Sequence, residues 1–156
     1  MIKIICVGKI KEKFYNDAIN EYKKRIGKYT KIEIIELKDE AYDKDKTIKK
    51  ESDEILRVIN NNDYNVGLDI SGNMLDSVSF ANKIDNIFQI NSNITFIIGG
   101  SYGFNDEVRS HCSYLLSFSK MTFPHQLFRV ILLEQIYRSF RILNNEKYQQ
   151  KVIFLY

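Results

Sequence analysis

An α/β domain built on a largely parallel sheet is the fold this sequence predicts, and three observations carry that expectation. Short apolar runs alternate with longer amphipathic stretches along the whole chain, the order that produces strand–helix–strand units. The short runs are apolar without in-and-out alternation, as in strands covered by helices on both faces. No repeat and no Pro/Gly-rich linker divides the 156 residues. Positions 1–156 are therefore expected to form a single domain, able to bury roughly two-thirds of the surface of its unfolded chain.

The first strand is Ile2 to Val7, ended by Gly8. A helix follows from Glu12 to Gly27, where Phe14, Ala18, Ile19, Tyr22 and Ile26 recur at helical spacing and form the face expected to be buried. Lys9, Lys11, Lys13, Lys23, Lys24 and Arg25 lie ahead of that helix or on its other faces. They read as a solvated surface, or as a phosphate-facing patch if the site lies on the same side. Lys31 to Leu37 is the second strand, and the charged stretch Lys38 to Lys46 is the expected loop. The second helix, Thr47 to Asn60, presents Ile48, Ser52, Ile55 and Ile59 on one face.

The third strand, Tyr64 to Ile70, runs into a turn at Ser71-Gly72-Asn73. Asp76 suits the N-cap of a third helix that buries Phe80, Ile84, Ile87 and Phe88. Ile94 to Ile98 is the fourth strand, and a short helix over Asp106 to Ser110 connects it to the fifth, Tyr114 to Phe118. A polar turn holding the chain's only proline, Pro124, then opens the longest helix, Leu127 to Leu143. That helix carries charge only at Arg129, Glu134, Arg138 and Arg141, the last three on one face. Covering a sheet needs one apolar stripe. The excess predicts a second partner, and another copy of the chain is the simplest one, giving a two-fold homodimer.

Composition narrows the function classes. With 44% hydrophobic and 28% charged residues and a net charge of +3, the chain reads as a soluble globular protein, and the charge alone does not make it a nucleic-acid binder. No small-residue cleavage site follows the apolar N-terminus, which reads as a strand and not a signal peptide. No run approaches the roughly 18 apolar residues of a membrane span. A cytoplasmic protein with no membrane partner is expected. Cys6 and Cys112 are isolated and only two histidines are present, which gives neither a disulfide framework nor a metal site.

Two stretches carry chemistry. Gly99-Gly100-Ser101-Tyr102-Gly103 closes the fourth strand with only the final G-x-x-G of a dinucleotide fingerprint, and at the wrong strand for one. It is a place where a ligand can approach bare backbone, or a plain strand-ending turn. Phe118-Ser119-Lys120-Met121-Thr122-Phe123 offers rings, hydroxyls, an ammonium and a thioether between a strand and a helix. That is where open α/β sheets hold ligands, although any one of its apolar side chains reads equally as core.

Together, Phe-Ile-Ile-Gly-Gly-Ser-x-Gly (96–103), Leu-Ser-Phe-Ser-Lys-Met-Thr-Phe-Pro-His-Gln (116–126) and Arg-Val-x-Leu-x-Glu-Gln-x-Tyr-Arg (129–138) resemble one family. It is the RlmH family of SPOUT-class methyltransferases, which act on N3 of a pseudouridine in 23S ribosomal RNA. Val7 to Lys13 and Glu21 to Gly27 are similar to its opening strand and helix, and the likeness covers about positions 1 to 148. The resemblance implies a C-terminal trefoil knot, S-adenosylmethionine as cofactor, a homodimer and the ribosome as partner. It places cofactor contacts on Leu68, Gly99 and the stretch Phe118, Ser119, Lys120, Met121, Thr122 and Phe123. In that reading Leu68 packs on the adenine, Gly99 lets backbone approach the ribose or methionine part, and the 118–123 turn supplies amides and carbonyls.

Catalytic roles fall on His125 and Tyr148. Methyl transfer to N3 displaces a proton, and His125 is one acceptor; the alternative is a histidine anchoring the turn before the last helix. Tyr148 would stack on or position the base. The tail at 146–156 departs from the family's Pro-Tyr-His-Arg/Lys ending: Tyr148 is kept, Gln149 and Gln150 follow it, and Val152 to Tyr156 are added. Glutamine neither takes a proton nor carries charge. The competing expectation is therefore a dimeric cofactor- and ribosome-binding SPOUT protein whose altered tail impairs catalysis.

Overall fold

The computed structural model describes residues 1–146. Its elements, in chain order, are β1 (Ile2–Val7), α1 (Lys13–Ile26), β2 (Ile32–Leu37), α2 (Lys44–Val58), β3 (Tyr64–Met74), α3 (Ser77–Ile90), β4 (Ile94–Ile98), α4 (Asp106–Ser110), β5 (Tyr114–Ser117) and α5 (His125–Leu143). The five strands form one sheet in the order β2-β1-β4-β3-β5. Every pairing is parallel, as the unbroken apolar runs predict.

The strand period of two divides the side chains between two cores. Ile2, Ile4, Phe96 and Ile98 face α1, α3 and α5, where Ile19, Ile26, Ile84, Leu132, Leu133 and Ile136 meet them. Ile5, Val7 and Ile97 face the other way, onto Ile55 of α2, Val108 of α4 and Phe104. The result is three layers, with α5 packed between α1 and α3. Among the described residues, no helix is long and apolar enough to cross a membrane.

The structure departs from the sequence expectations at four places. Phe14 is 62% exposed, because the first turn of α1 projects beyond the core that Ile19 and Ile26 fill. Helix α2 begins three residues early, since the Asp43 side chain accepts from the Lys46 amide and caps it. The 71–73 segment is not a free turn. β3 bulges between Leu68 and Asn73 and pairs again with β5, and a Cβ on Gly72 would lie 2.7 Å from the Leu115 backbone. Finally, much of the apolar surface of α5 is taken up inside the monomer by α1 and α3. Ile136 and Phe140 belong to the buried core, so that surface alone does not call for a second copy.

Candidate functional site

The carboxyl ends of β3, β4 and β5 and the start of α5 enclose a cavity of about 340 Å³. Leu68, Gly99, Phe118, Ser119, Met121, Thr122 and Phe123 all line it, and so does His125. Lys120 is exposed and is not part of the lining. Tyr148 and the rest of the tail from Lys147 lie outside the described residues.

Each wall has a local cause. After β4 the chain reverses on itself: the Gly103 amide donates to the Gly100 carbonyl at 3.0 Å, and Gly103 adopts φ +76°. A Cβ on Gly99 would stand 2.7 Å from the carbonyl carbon of Gly103 and 2.9 Å from its Cα. The glycine thus makes room for the returning turn, a reason internal to the fold and different from the expected room for a ligand. A Cβ at Gly103 would meet nothing within 4 Å. In the 118–124 loop, Ser117 Oγ donates to the Ser119 carbonyl at 3.1 Å and the Met121 amide donates to Ser119 Oγ at 3.0 Å. Phe118 packs edge-on against Phe128 at 5.0 Å and Phe80 at 6.1 Å, so its ring serves the core as well as the cavity.

His125 opens α5 directly after Pro124. Its Nδ1 is buried with no hydrogen-bond partner among the described residues. Burial pulls its pKa down, and Arg129 adds to that effect against the opposing Asp39, so the ring is held neutral. Arg129, 2% exposed, donates through Nη1 to Glu36 at 2.6 Å and through Nη2 to the Gly8 carbonyl at 3.0 Å. It therefore ties the first turns of α5 to the carboxyl ends of β1 and β2.

Asp69 and Arg109 line the cavity and Glu51 stands behind one of its walls; the sequence alone assigned a role to none of the three. Asp69 accepts from Arg109 Nε at 2.5 Å and from the Ser71 amide and hydroxyl. Burial works against its charge, yet Ser71 and Arg109 outweigh this and hold the carboxyl below its usual range. Behind Gly100 lies Glu51, 2% exposed, whose Oε1 would sit 2.5 Å from a Cβ at that glycine. Helical spacing was the available signal. Glu51 lies three residues after Ile48 and four before Ile55, on the buried stripe of α2, and Arg129 likewise lies three before Leu132 and seven before Ile136.

The family described as "Predicted SPOUT methyltransferase" matches residues 1–149. The "Ribosomal RNA large subunit methyltransferase H" of Clostridium acetobutylicum is 50% identical over 157 aligned positions, covering 96% of this chain and 99% of that one. The protein of the same name from Caldicellulosiruptor saccharolyticus is 46% identical, covering 96% and 100%. Among solved structures, "a probable methylase family protein" from Haemophilus influenzae Rd KW20 superposes with a TM-score of 0.58 at 12% identity, over 94% of this chain and 69% of that one. That structure speaks to the fold alone, whereas the sequence matches span nearly the full length of both partners. The chain belongs to the SPOUT methyltransferase family.

Proposed function

We propose that this protein transfers a methyl group from S-adenosylmethionine to N3 of a pseudouridine in 23S ribosomal RNA, working as a homodimer. One observation carries the reading: apart from Lys120, every position at which the family resemblance places a cofactor contact lines the same cavity. The relatives named ribosomal RNA large subunit methyltransferase H, close to half identical over nearly the whole chain, point to the substrate.

The residues present fit the cofactor. The cavity's volume lies within the usual range for small-molecule sites, roughly 300–1,000 Å³. Leu68, Ile98, Leu116, Phe118 and Phe128 give it an apolar part suited to an adenine, and bare backbone at Gly99, Gly100 and Gly103 gives a polar one. When bound, the cofactor supplies a methyl group on a sulfonium, a good leaving group. The protein's work is then alignment. The 118–123 loop and the 99–103 turn fix the donor's position, and Arg129 steadies the start of α5 so that His125 stays beside the cavity. His125, held neutral, serves as an acceptor for the N3 proton. Nε2 is the atom available to it, because Nδ1 is buried. A trefoil knot in the last third of the chain belongs to the same reading. It is supported by β5 lying beyond β3 while α5 returns to reach Gly8 and Glu36 near the opposite side of the sheet.

The test is methyl transfer to ribosomes from a strain lacking the modification, with the product nucleoside identified by mass spectrometry. Methylated pseudouridine is the expected product. Cofactor binding without transfer would instead favour a cofactor- and ribosome-binding protein impaired by Gln149 and Gln150.

A further inference from the structure

We propose that a chamber beside the main cavity, walled by Asp39, Glu40, Glu51 and the 100–102 turn, receives the α-ammonium end of the cofactor, with Glu51 as its counter-charge. The inference rests on the cofactor reading of the main cavity. The chamber measures about 170 Å³ and shares Gly100, Ser101, Tyr102 and His125 with the larger hollow. The 100–102 turn and the His125 ring are thus a wall common to both.

Glu51 is the reason to expect a ligand there. It is 2% exposed, and its Oε2 accepts from the Glu40 amide at 3.0 Å. That bond anchors the loop after β2 and accounts for one oxygen. Oε1 is buried with no partner among the described residues, and it points at the Gly100 turn. A buried carboxylate oxygen without a donor is costly unless something supplies one. No lysine or arginine lines the chamber, and Asp39 and Glu40 add charge of the same sign. Burial pushes the Glu51 carboxyl up against the pull of the Glu40 amide, with Asp39 and Glu40 pushing the same way as burial. A cationic donor would relieve all of these at once.

Among the cofactor's groups only the ammonium fits that description. It is compact, positively charged and carries three N–H donors. The sulfonium has charge but no hydrogen to donate, and the carboxylate, carried on the same carbon as the ammonium, has to turn outward, away from Asp39, Glu40 and Glu51. The adenine is neutral and suits the apolar walls of the larger cavity. The bare Cα of Gly100 matters here too, because any side chain would occupy the space in front of Glu51 Oε1.

Calorimetric titration with three ligands tests the assignment. S-adenosylmethionine carries both cations, S-adenosylhomocysteine keeps the ammonium alone, and 5′-methylthioadenosine lacks the amino-acid arm. Glu51→Gln keeps the shape and can still accept from the Glu40 amide. It should weaken the first two ligands about tenfold and leave methylthioadenosine within about twofold. Asp39→Asn, on the exposed side of the chamber, should give the same ligand-selective pattern at about two- to threefold, which keeps the test open if the first variant folds poorly. Equal loss for all three ligands, or no loss for any, overturns the proposal. A loss confined to S-adenosylmethionine also overturns it, since the sulfonium would then be what Glu51 meets. Wild-type protein that binds neither S-adenosylmethionine nor methylthioadenosine overturns the cofactor reading itself.

Discussion

Replacing Arg129 with methionine should cost about 2 kcal/mol of stability, and the number follows from what each guanidinium nitrogen touches. Nη2 serves the buried Gly8 carbonyl, and stranding that acceptor costs about 1–3 kcal/mol. Nη1 serves Glu36, whose side chain is 38% exposed and returns to water when the arginine is lost, so this bond contributes only about 0.5 kcal/mol. Nε is buried without a partner among the described residues, a penalty that methionine removes and that trims the loss. Methionine also keeps most of the apolar stem. Urea unfolding at pH 7 measures the change through the midpoint at constant slope. The companion change Glu36→Gln should cost well under 1 kcal/mol, because Arg129 keeps its bond to Gly8. Equal costs for the two variants would refute the reasoning, since the Gly8 carbonyl would then not be the main debt. Arg129→Met should also weaken S-adenosylmethionine binding more than Glu36→Gln, because it frees the start of α5 beside the cavity.

Two glycines of the 99–103 turn should fail for different reasons. Gly99→Ala forces Cβ against the Gly103 backbone and should cost about 2–3 kcal/mol, together with cofactor affinity. Gly103→Ala meets open space and should cost only the strain of its positive φ, about 1–2 kcal/mol; thermal melts and calorimetry compare the two. Glu51→Gln should change the pH dependence of stability. Folded Glu51 holds its proton more tightly than the unfolded chain does, so its contribution favours folding below the unfolded value of about 4.3 and fades as pH rises through the folded value. The variant should therefore gain on the wild type between pH 4 and pH 8 in paired urea titrations, and a constant difference would count against it. For the homodimer, Ile136 and Phe140 are poor probes because they are core. Ile131, half-buried on α5 beside Leu75 and Phe118, is the better site: Ile131→Asp should halve the mass seen by light scattering without changing the circular dichroism.

Legibility in the sequence followed locality. β1 and β4 were readable because strands covered on both faces are mostly apolar, and α4 as the short segment between two such runs. Asp43 could have marked the start of α2, but it was lost among the charges of the 38–46 stretch. The bulge in β3 was unreadable, since it depends on Leu116 and Ser117 arriving some forty residues later to pair with Asn73 and Met74. Phe14 obeys the helical period yet sits where no core remains to receive it. The site divides the same way. The 99–103 and 118–123 segments are contiguous motifs, whereas Glu51, Asp69 and Arg109 each look like a surface charge until the fold brings them to the turn.

The interior place of β1 also bears on how the chain is made. One side of β1 pairs with β2 soon after, but the other waits for β4, with Ile2 opposite Ile94 and the Ile94 amide bonded to the Met1 carbonyl. At ordinary synthesis rates that delay is roughly 5 to 20 s. During it a hydrophobic strand shows a row of unmatched amides and carbonyls, the kind of edge that recruits neighbouring chains. Such distant pairings also place the protein among the slower folders of its size. Its yield in rapid overexpression should therefore depend on holdase chaperones and on temperature more than its final stability would suggest.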